Sequence, residues 1–168
     1  MREMTHYMRT FEKGPIAVRY PRGSSDDRLP ESRTPIQFGK SELLRDGKDL
    51  TIVAVGSMVS PAWEAATQLQ AEGIDCAVIN ARWIKPIDGE AIRASVAKTG
   101  RLLTVEENVR TGGFGQQVRD LLTGDYEMDI LALPDKFVEH GAQPLIRRDC
   151  GLDAEGIVCA ARKILALR

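Results

Sequence analysis

The stretch that most limits what this chain can become is residues 74–88, IDCAVINARWIKPID. Ile74, Cys76, Val78 and Ile79 form a short apolar run just after Gly73, the pattern of a strand buried on both faces. Asn80 and Ala81 end the run, and Arg82 follows at the strand's carboxyl end. In open α/β sheets that edge is where ligands bind. Lys85-Pro86 keeps the loop extended, because proline fixes its own φ and turns the preceding residue away from helix. Asp88 is a suitable N-cap for a helix running through Ala91, Ile92 and Val96. One arginine is thereby set at the edge of a rigid sheet.

The segments around this strand repeat its logic. Residues 40–45 and 50–55 flank Asp46-Gly47-Lys48-Asp49, a hairpin signal that predicts an antiparallel first pair. Ile52-Val53-Ala54-Val55 runs into Gly56-Ser57, where Ser60-Pro61 predicts an N-cap with proline at the first helical position. That helix carries Trp63, Ala66 and Leu69 and stops at Gly73. Further strands are expected over residues 102–105 and 128–133, and helices over about 116–122 and after Asp153. Residues 134–141 read as a loop. Strands alternating with helices predict a mixed, mostly parallel five-stranded sheet covered on both faces.

Residues 1–35 behave differently. Met4, Tyr7, Met8 and Phe11 recur at helical spacing until Lys13-Gly14-Pro15, and residues 16–20 are a strand candidate. One helix and one strand cannot enclose a core, so they are expected to pack on another domain or chain. The polar, proline-containing run SSDDRLPESRTP that follows reads as a linker. The expected organisation is a terminal piece of one domain over 1–23, a linker over 24–35 and a second domain over 36–168. The chain would then be a fragment of a longer polypeptide.

Composition narrows the partners. A net charge of -1 and the absence of a polybasic run argue against nucleic acid or a membrane surface. No apolar run approaches the roughly 18–20 residues that span a bilayer, and the N-terminus lacks the apolar core of a secretory signal. Cys76, Cys150 and Cys159 are odd in number and widely spaced, which predicts buried free thiols in a reducing cytoplasm. With only His6 and His140 besides, no familiar zinc spacing can be assembled.

Several segments carry chemistry with a plainer alternative beside it. Residues 56–60 join a strand to a helix and could hold an anion on backbone N–H groups, but they lack the P-loop lysine. A plain turn is the simpler reading. Gly112-Gly113-Phe114-Gly115 opens a helix without the dinucleotide fingerprint, so close backbone packing is expected. Glu106-Glu107 reads as an acid/base pair, as a solvated strand terminus or as a partner of a helix N-terminus, and His140 as an acid/base or a loop histidine. Arg22 and Arg82 each follow a predicted strand in a proline-stiffened loop. Such guanidinium groups suit bidentate phosphate binding or an interdomain salt bridge.

Four motifs occur in a fixed order: Tyr20-Pro21-Arg22-Gly23, Arg82-Trp83-Ile84-Lys85-Pro86-Ile87-Asp88, Glu106-Glu107-Asn108 with Gly112-Gly113 and Gly115, and Pro134-Asp135-Lys136-Phe137-Val138-Glu139-His140-Gly141. In these the whole chain resembles the C-terminal part of the 1-deoxy-D-xylulose-5-phosphate synthases, transferases of the transketolase family. Trp83 departs from the pattern, where phenylalanine is expected. The resemblance implies a thiamin-diphosphate and magnesium enzyme that condenses pyruvate with D-glyceraldehyde 3-phosphate and releases carbon dioxide. The product feeds isoprenoid and thiamin synthesis. It also implies a cytoplasmic homodimer whose cofactor and metal sites lie in upstream domains, so no catalytic, cofactor or metal residue is expected in this chain. Residues 1–23 would end the pyrimidine-binding domain, and Arg22 and Arg82 would contact the acceptor's phosphate. The fragment alone is expected to be inactive. Two alternatives stay open: the C-terminal domain of a 2-oxo-acid dehydrogenase β subunit or transketolase, and a non-catalytic dimerisation or regulatory α/β module.

Overall fold

Five short apolar segments find one another in a single sheet, and the order in which they do so differs from their order in the chain. The computed structural model describes residues 2–21, 29 and 34–166. The strands are β1 (Glu42–Arg45), β2 (Leu50–Ala54), β3 (Cys76–Asn80), β4 (Arg101–Val109) and β5 (Glu127–Leu133), and they lie in the order β1-β3-β2-β4-β5. β3, β2, β4 and β5 are mutually parallel, whereas β1 runs antiparallel to β3. The helices are α1 (Arg2–Arg9), α2 (Val59–Ala71), α3 (Gly89–Thr99), α4 (Phe114–Leu121), α5 (Gln143–Asp149) and α6 (Ala154–Ala166), with a 3-10 turn at Gly56–Met58.

Alternation along the strands sorts their side chains to two cores. Leu50, Ile52 and Ala54 of β2 join Leu103 and Val105 of β4 under α2 and α6, against Leu69, Ile157 and Ile164. Val53, Ile79 and Leu102 point the other way, to Ile92 and Val96 of α3 and to Phe114 and Val118 of α4. Each fully buried Leu or Ile here stabilises the fold by about 1.5–3 kcal/mol. β2 and β3 are buried on both faces, as strands of a covered parallel sheet are, and each has a strand on either side.

That strand order overturns the expected hairpin. β1 does not pair with β2; β3 is inserted between them and takes β1 on its outer side. The Asp46–Asp49 segment instead crosses the start of β3, with Lys48 and Asp49 N–H both donating to the Asp75 carbonyl at 3.0 and 2.9 Å. Gly47 makes the crossing possible, since a Cβ there would collide with the backbone of Cys76 and Ala77. The half-exposed β1, with Leu43 pointing out, suits an edge.

The helix ends follow local chemistry with one exception. Asp88 accepts from Ala91 N–H at 3.3 Å and caps α3, and Gly100 at φ 67 ends it. Asp153 likewise accepts from Gly156 N–H at 2.8 Å at the start of α6. Ser60 is not the N-cap of α2: the helix begins at Val59, Met58 holds the cap position, and Ser60 is buried within the first turn. Proline at position 61 is still tolerated, because first-turn N–H groups need no helical partner.

The N-terminal piece departs further from expectation. Residues 16–20 form no strand; both long edges of the described sheet are left to β1 and β5, and without a neighbouring strand an extended segment has no ladder to join. α1 buries no residue fully. Its Tyr7 ring meets Trp83 edge-on at 5.7 Å, while Phe11 stacks on Phe38 at 5.3 Å and Phe38 meets Trp83 at 5.2 Å. The helix therefore rests on this domain, through aromatic rings beside the Arg82 loop. The linker expected over 24–35 lies, but for residues 29, 34 and 35, outside the described residues.

Candidate functional site at the carboxyl edge of the sheet

β2 is followed by α2 on one face of the sheet and its neighbour β3 by α3 on the other. The two loops part above their carboxyl ends, the topological switch point at which open α/β sheets bind ligands. Arg82 stands there. Ala81 N–H donates to Ala54 O at 2.9 Å, carrying the end of β3 one step past the ladder. Arg82 itself adopts φ 56, and it is the only non-glycine residue among those described with a positive φ. A left-handed conformation costs a non-glycine residue roughly 1–3 kcal/mol and persists only where its surroundings impose it. Here the Asn80 side chain accepts the Arg82 N–H at 3.2 Å. Beyond it, Lys85-Pro86 is a cis peptide and Asp88 anchors the loop, accepting from Ser41 N–H at 2.9 Å and from its hydroxyl at 3.1 Å. Burial opposes ionisation of Asp88, but these bonds and that from Ala91 hold its carboxyl below the ordinary value.

The Arg82 side chain is 5 % exposed, and its guanidinium pairs with Glu42 through Nη2 at 2.7 Å. Nη2 also donates to Thr34 O at 2.9 Å, and Nη1 to Thr34 Oγ1 at 3.2 Å and Pro35 O at 3.3 Å. The ion pair is thus made within one domain, to a strand forty residues earlier in the sequence. Glu42 had no signal there: a glutamate opening a short edge strand looks like a solvent-facing charge until β1 is laid beside β3. Arg22, the other expected phosphate ligand, lies outside the described residues.

The two glutamates at the end of β4 have separate tasks. Glu106, 1 % exposed, accepts N–H groups of Phe114 and Gly115 at 2.8 Å each and so completes the N-terminus of α4. Burial pushes its carboxyl above the ordinary value, against the pull of those two bonds. The glycines beside it are there for space: a Cβ on Gly113 would lie 2.6 Å from Glu106 Oε2, and one on Gly115 2.5 Å from Thr104 Oγ1. Close packing, the expected reading of this segment, is what the structure holds. Glu107 instead accepts the Ser57 hydroxyl at 2.6 Å and both arms of the Arg147 fork at 2.9 Å. Burial raises its carboxyl, but Arg147 and Ser57 together bring it below the ordinary value. Glu107 meets the turn at residues 56–60 through the Ser57 hydroxyl.

His140 sits on an exposed loop with Phe137, between β5 and α5. A cleft of about 620 Å³ lies beside that loop, between the end of β5 and α5, lined by Arg110, Leu133, Phe137, Ile146 and Cys150 among others. α5, which carries Arg147, had no expectation attached to it. The thiols divide: Cys76 is buried as expected, whereas Cys159 is exposed on α6 and Cys150 half-buried, and all are free. Among the described residues no group of three or more His, Cys, Asp or Glu side chains could hold a metal ion, and no helix is long and apolar enough to cross a membrane.

Residues 39–157 match the family model "Transketolase, C-terminal domain". The chain is 45% identical over 168 residues to the 1-deoxy-D-xylulose-5-phosphate synthase of Heliobacterium modesticaldum, covering 96% of this chain and 26% of that protein. Against 1-deoxy-D-xylulose-5-phosphate synthase 2 of Geobacter sulfurreducens it is 45% identical over 172 residues, covering 98% of this chain and 28% of the relative. The chain thus spans about a quarter of the length of these curated relatives. Among solved structures it is similar to a split gene transketolase, an inactive beta4 tetramer, with TM-score 0.77 and 34% identity over 83% of this chain and 47% of that one. A transketolase from Pichia stipitis shares the fold at TM-score 0.54 and 23% identity, over 76% of this chain and 18% of that one.

Proposed function

Because the chain belongs to the transketolase C-terminal-domain family, we propose that it is the C-terminal part of a 1-deoxy-D-xylulose-5-phosphate synthase. The whole enzyme would condense pyruvate with D-glyceraldehyde 3-phosphate, with release of carbon dioxide, as a cytoplasmic homodimer. In this division of labour residues 1–23 close the upstream domain, 24–35 link, and 36–168 form the C-terminal domain. This part anchors the acceptor's phosphate through Arg82, together with Arg22, and has no turnover by itself. The whole enzyme would use thiamin diphosphate and magnesium. In this reading both groups are held by upstream domains.

The observation that carries this reading is the left-handed backbone of Arg82 at the switch point. Strained conformations of non-glycine residues gather at functional sites, and a guanidinium fixed on a rigid sheet edge suits a phosphate dianion. The remainder of the chain supplies binding and orientation, while the covalent chemistry belongs to the cofactor.

The test is Arg82→Ala in the full-length enzyme, assayed with D-glyceraldehyde 3-phosphate and with unphosphorylated glyceraldehyde. A charge-assisted contact contributes about 1.5–3 kcal/mol, hence a loss of roughly 10- to 150-fold in kcat/KM for the phosphorylated acceptor. Glyceraldehyde should show little loss. Arg82→Lys should recover part of the deficit, because an ammonium cannot reproduce the planar fork. The pair with Glu42 favours one rival, a purely structural arginine. That rival predicts equal losses with both acceptors and a lower melting temperature.

A further inference from the structure

We propose that Glu42 is the positioning residue for Arg82, holding its guanidinium where the acceptor's phosphate arrives; this rests on the reading of Arg82 given above. Glu42 opens the edge strand β1, directly opposite Asn80 of β3, and is 3 % exposed. A carboxylate buried at a sheet edge is costly unless every oxygen finds a partner. Oε2 takes Arg82 at 2.7 Å and the Asn80 amide N–H at 3.3 Å, and Oε1 takes Thr34 N–H at 3.1 Å.

Asn80 links the two halves of the arrangement. Its Nδ2 donates to Glu42 while its Oδ1 accepts the backbone N–H of Arg82. The orientation of that amide is therefore set by its neighbours, and the same pair of residues holds both the left-handed backbone of Arg82 and the far end of its side chain. Glu42 holds the guanidinium from the buried side and would act on a substrate only through Arg82.

The other partners of the guanidinium are of a different kind. Thr34 and Pro35 are exposed and offer two carbonyls and a hydroxyl, all neutral acceptors. A phosphate oxygen makes a stronger, charge-assisted bond to the same donors, so it can take their places. The buried Glu42 cannot be displaced in that way without leaving a carboxylate stranded. Glu42 holds the Nη2 end of the fork, and the Thr34–Pro35 side is where the anion enters.

The experiment uses the full-length enzyme with D-glyceraldehyde 3-phosphate and unphosphorylated glyceraldehyde as acceptors. The variants are Glu42→Gln, Glu42→Asp, Arg82→Ala and the Glu42→Gln/Arg82→Ala double. Glu42→Gln should raise the KM for the phosphorylated acceptor by roughly 5- to 30-fold, leave kcat within about twofold and hardly alter glyceraldehyde. Glu42→Asp keeps the charge and should recover part of the KM. The double variant should be no worse than Arg82→Ala, since a residue that acts only through Arg82 has nothing left to position. Additive losses in the double, or equal losses with both acceptors, overturn the proposal. So does tighter binding of the phosphorylated acceptor in Glu42→Gln, which would make Glu42 a repulsive charge. If Glu42→Gln gives no folded enzyme, Glu42→Asp carries the same readings, and an unaltered KM in it overturns the proposal. An acceptor-selective Arg82→Ala with an unselective Glu42→Gln refutes positioning alone, whereas an unselective Arg82→Ala refutes the phosphate reading beneath it.

Discussion

Glu106→Gln separates two accounts of the buried carboxylate at the end of β4. Glu106 is 1 % exposed, and its two oxygens take the N–H groups of Phe114 and Gly115 at 2.8 Å each. Glutamine matches the shape but offers one acceptor and one NH2, so one of those N–H groups faces another donor. Leaving a buried donor unsatisfied costs about 1–3 kcal/mol, and loss of the ionised acceptor weakens the bond that remains. Relief of the buried charge offsets part of this, and we expect a net loss of about 1–2 kcal/mol at pH 7.

The pH dependence gives the sign. The folded protein holds the Glu106 proton more tightly than the unfolded chain, because burial raises its carboxyl above the ordinary 4.5. Its contribution is then fully present below 4.5 and is lost as pH rises through the folded value. Acidification from pH 7 towards 4.5 should accordingly stabilise the wild type relative to Glu106→Gln, which has no proton to take up there, and the gap should widen. Urea denaturation of both proteins at steps between pH 7 and 4.5 measures it. A variant as stable as wild type at pH 7, or a gap that narrows on acidification, would refute the reasoning.

Three other outcomes are expected. Gly115→Ala should lose about 1–3 kcal/mol in urea denaturation, because its Cβ would sit 2.5 Å from Thr104 Oγ1 and 2.7 Å from Ile130 Cγ2; a neutral result would mean that β4 and β5 yield more easily than their packing implies. Arg147→Ala should cost about 1–3 kcal/mol near neutrality. Since Glu107 is held below its ordinary 4.5, that deficit should persist above 4.5 and fade as pH falls through the lower folded value; a constant deficit would put the loss in packing instead. With a thiol reagent under native conditions, Cys159 should label promptly and Cys76, buried and pushed up to about 12, only on unfolding; mass mapping of the labelled peptides distinguishes them.

Much of this architecture is written locally. The apolar run ending at Asn80, the aspartates that cap α3 and α6, and the glycine that ends α2 each act over a few residues, so sequence suffices to place them. The same holds for Arg82 at a strand's carboxyl end, and for the close packing of Gly113 and Gly115. What sequence could not supply was neighbourhood. Asp46-Gly47 carries a turn signal whether the chain folds back onto β2 or crosses to the far side of β3. It is decided only in the assembled sheet, where β3 lies between β1 and β2. Residues 16–20 have the composition of a strand, yet a strand exists only with a partner, and none of the described strands takes them. Glu42 and Arg82 stand forty residues apart, and neither the buried pair between them nor the left-handed turn that Asn80 supports leaves a trace in spacing. Local preference is a property of short segments, whereas the partner of a buried charge is fixed by which strand lies beside which, and that is settled only when the whole sheet assembles.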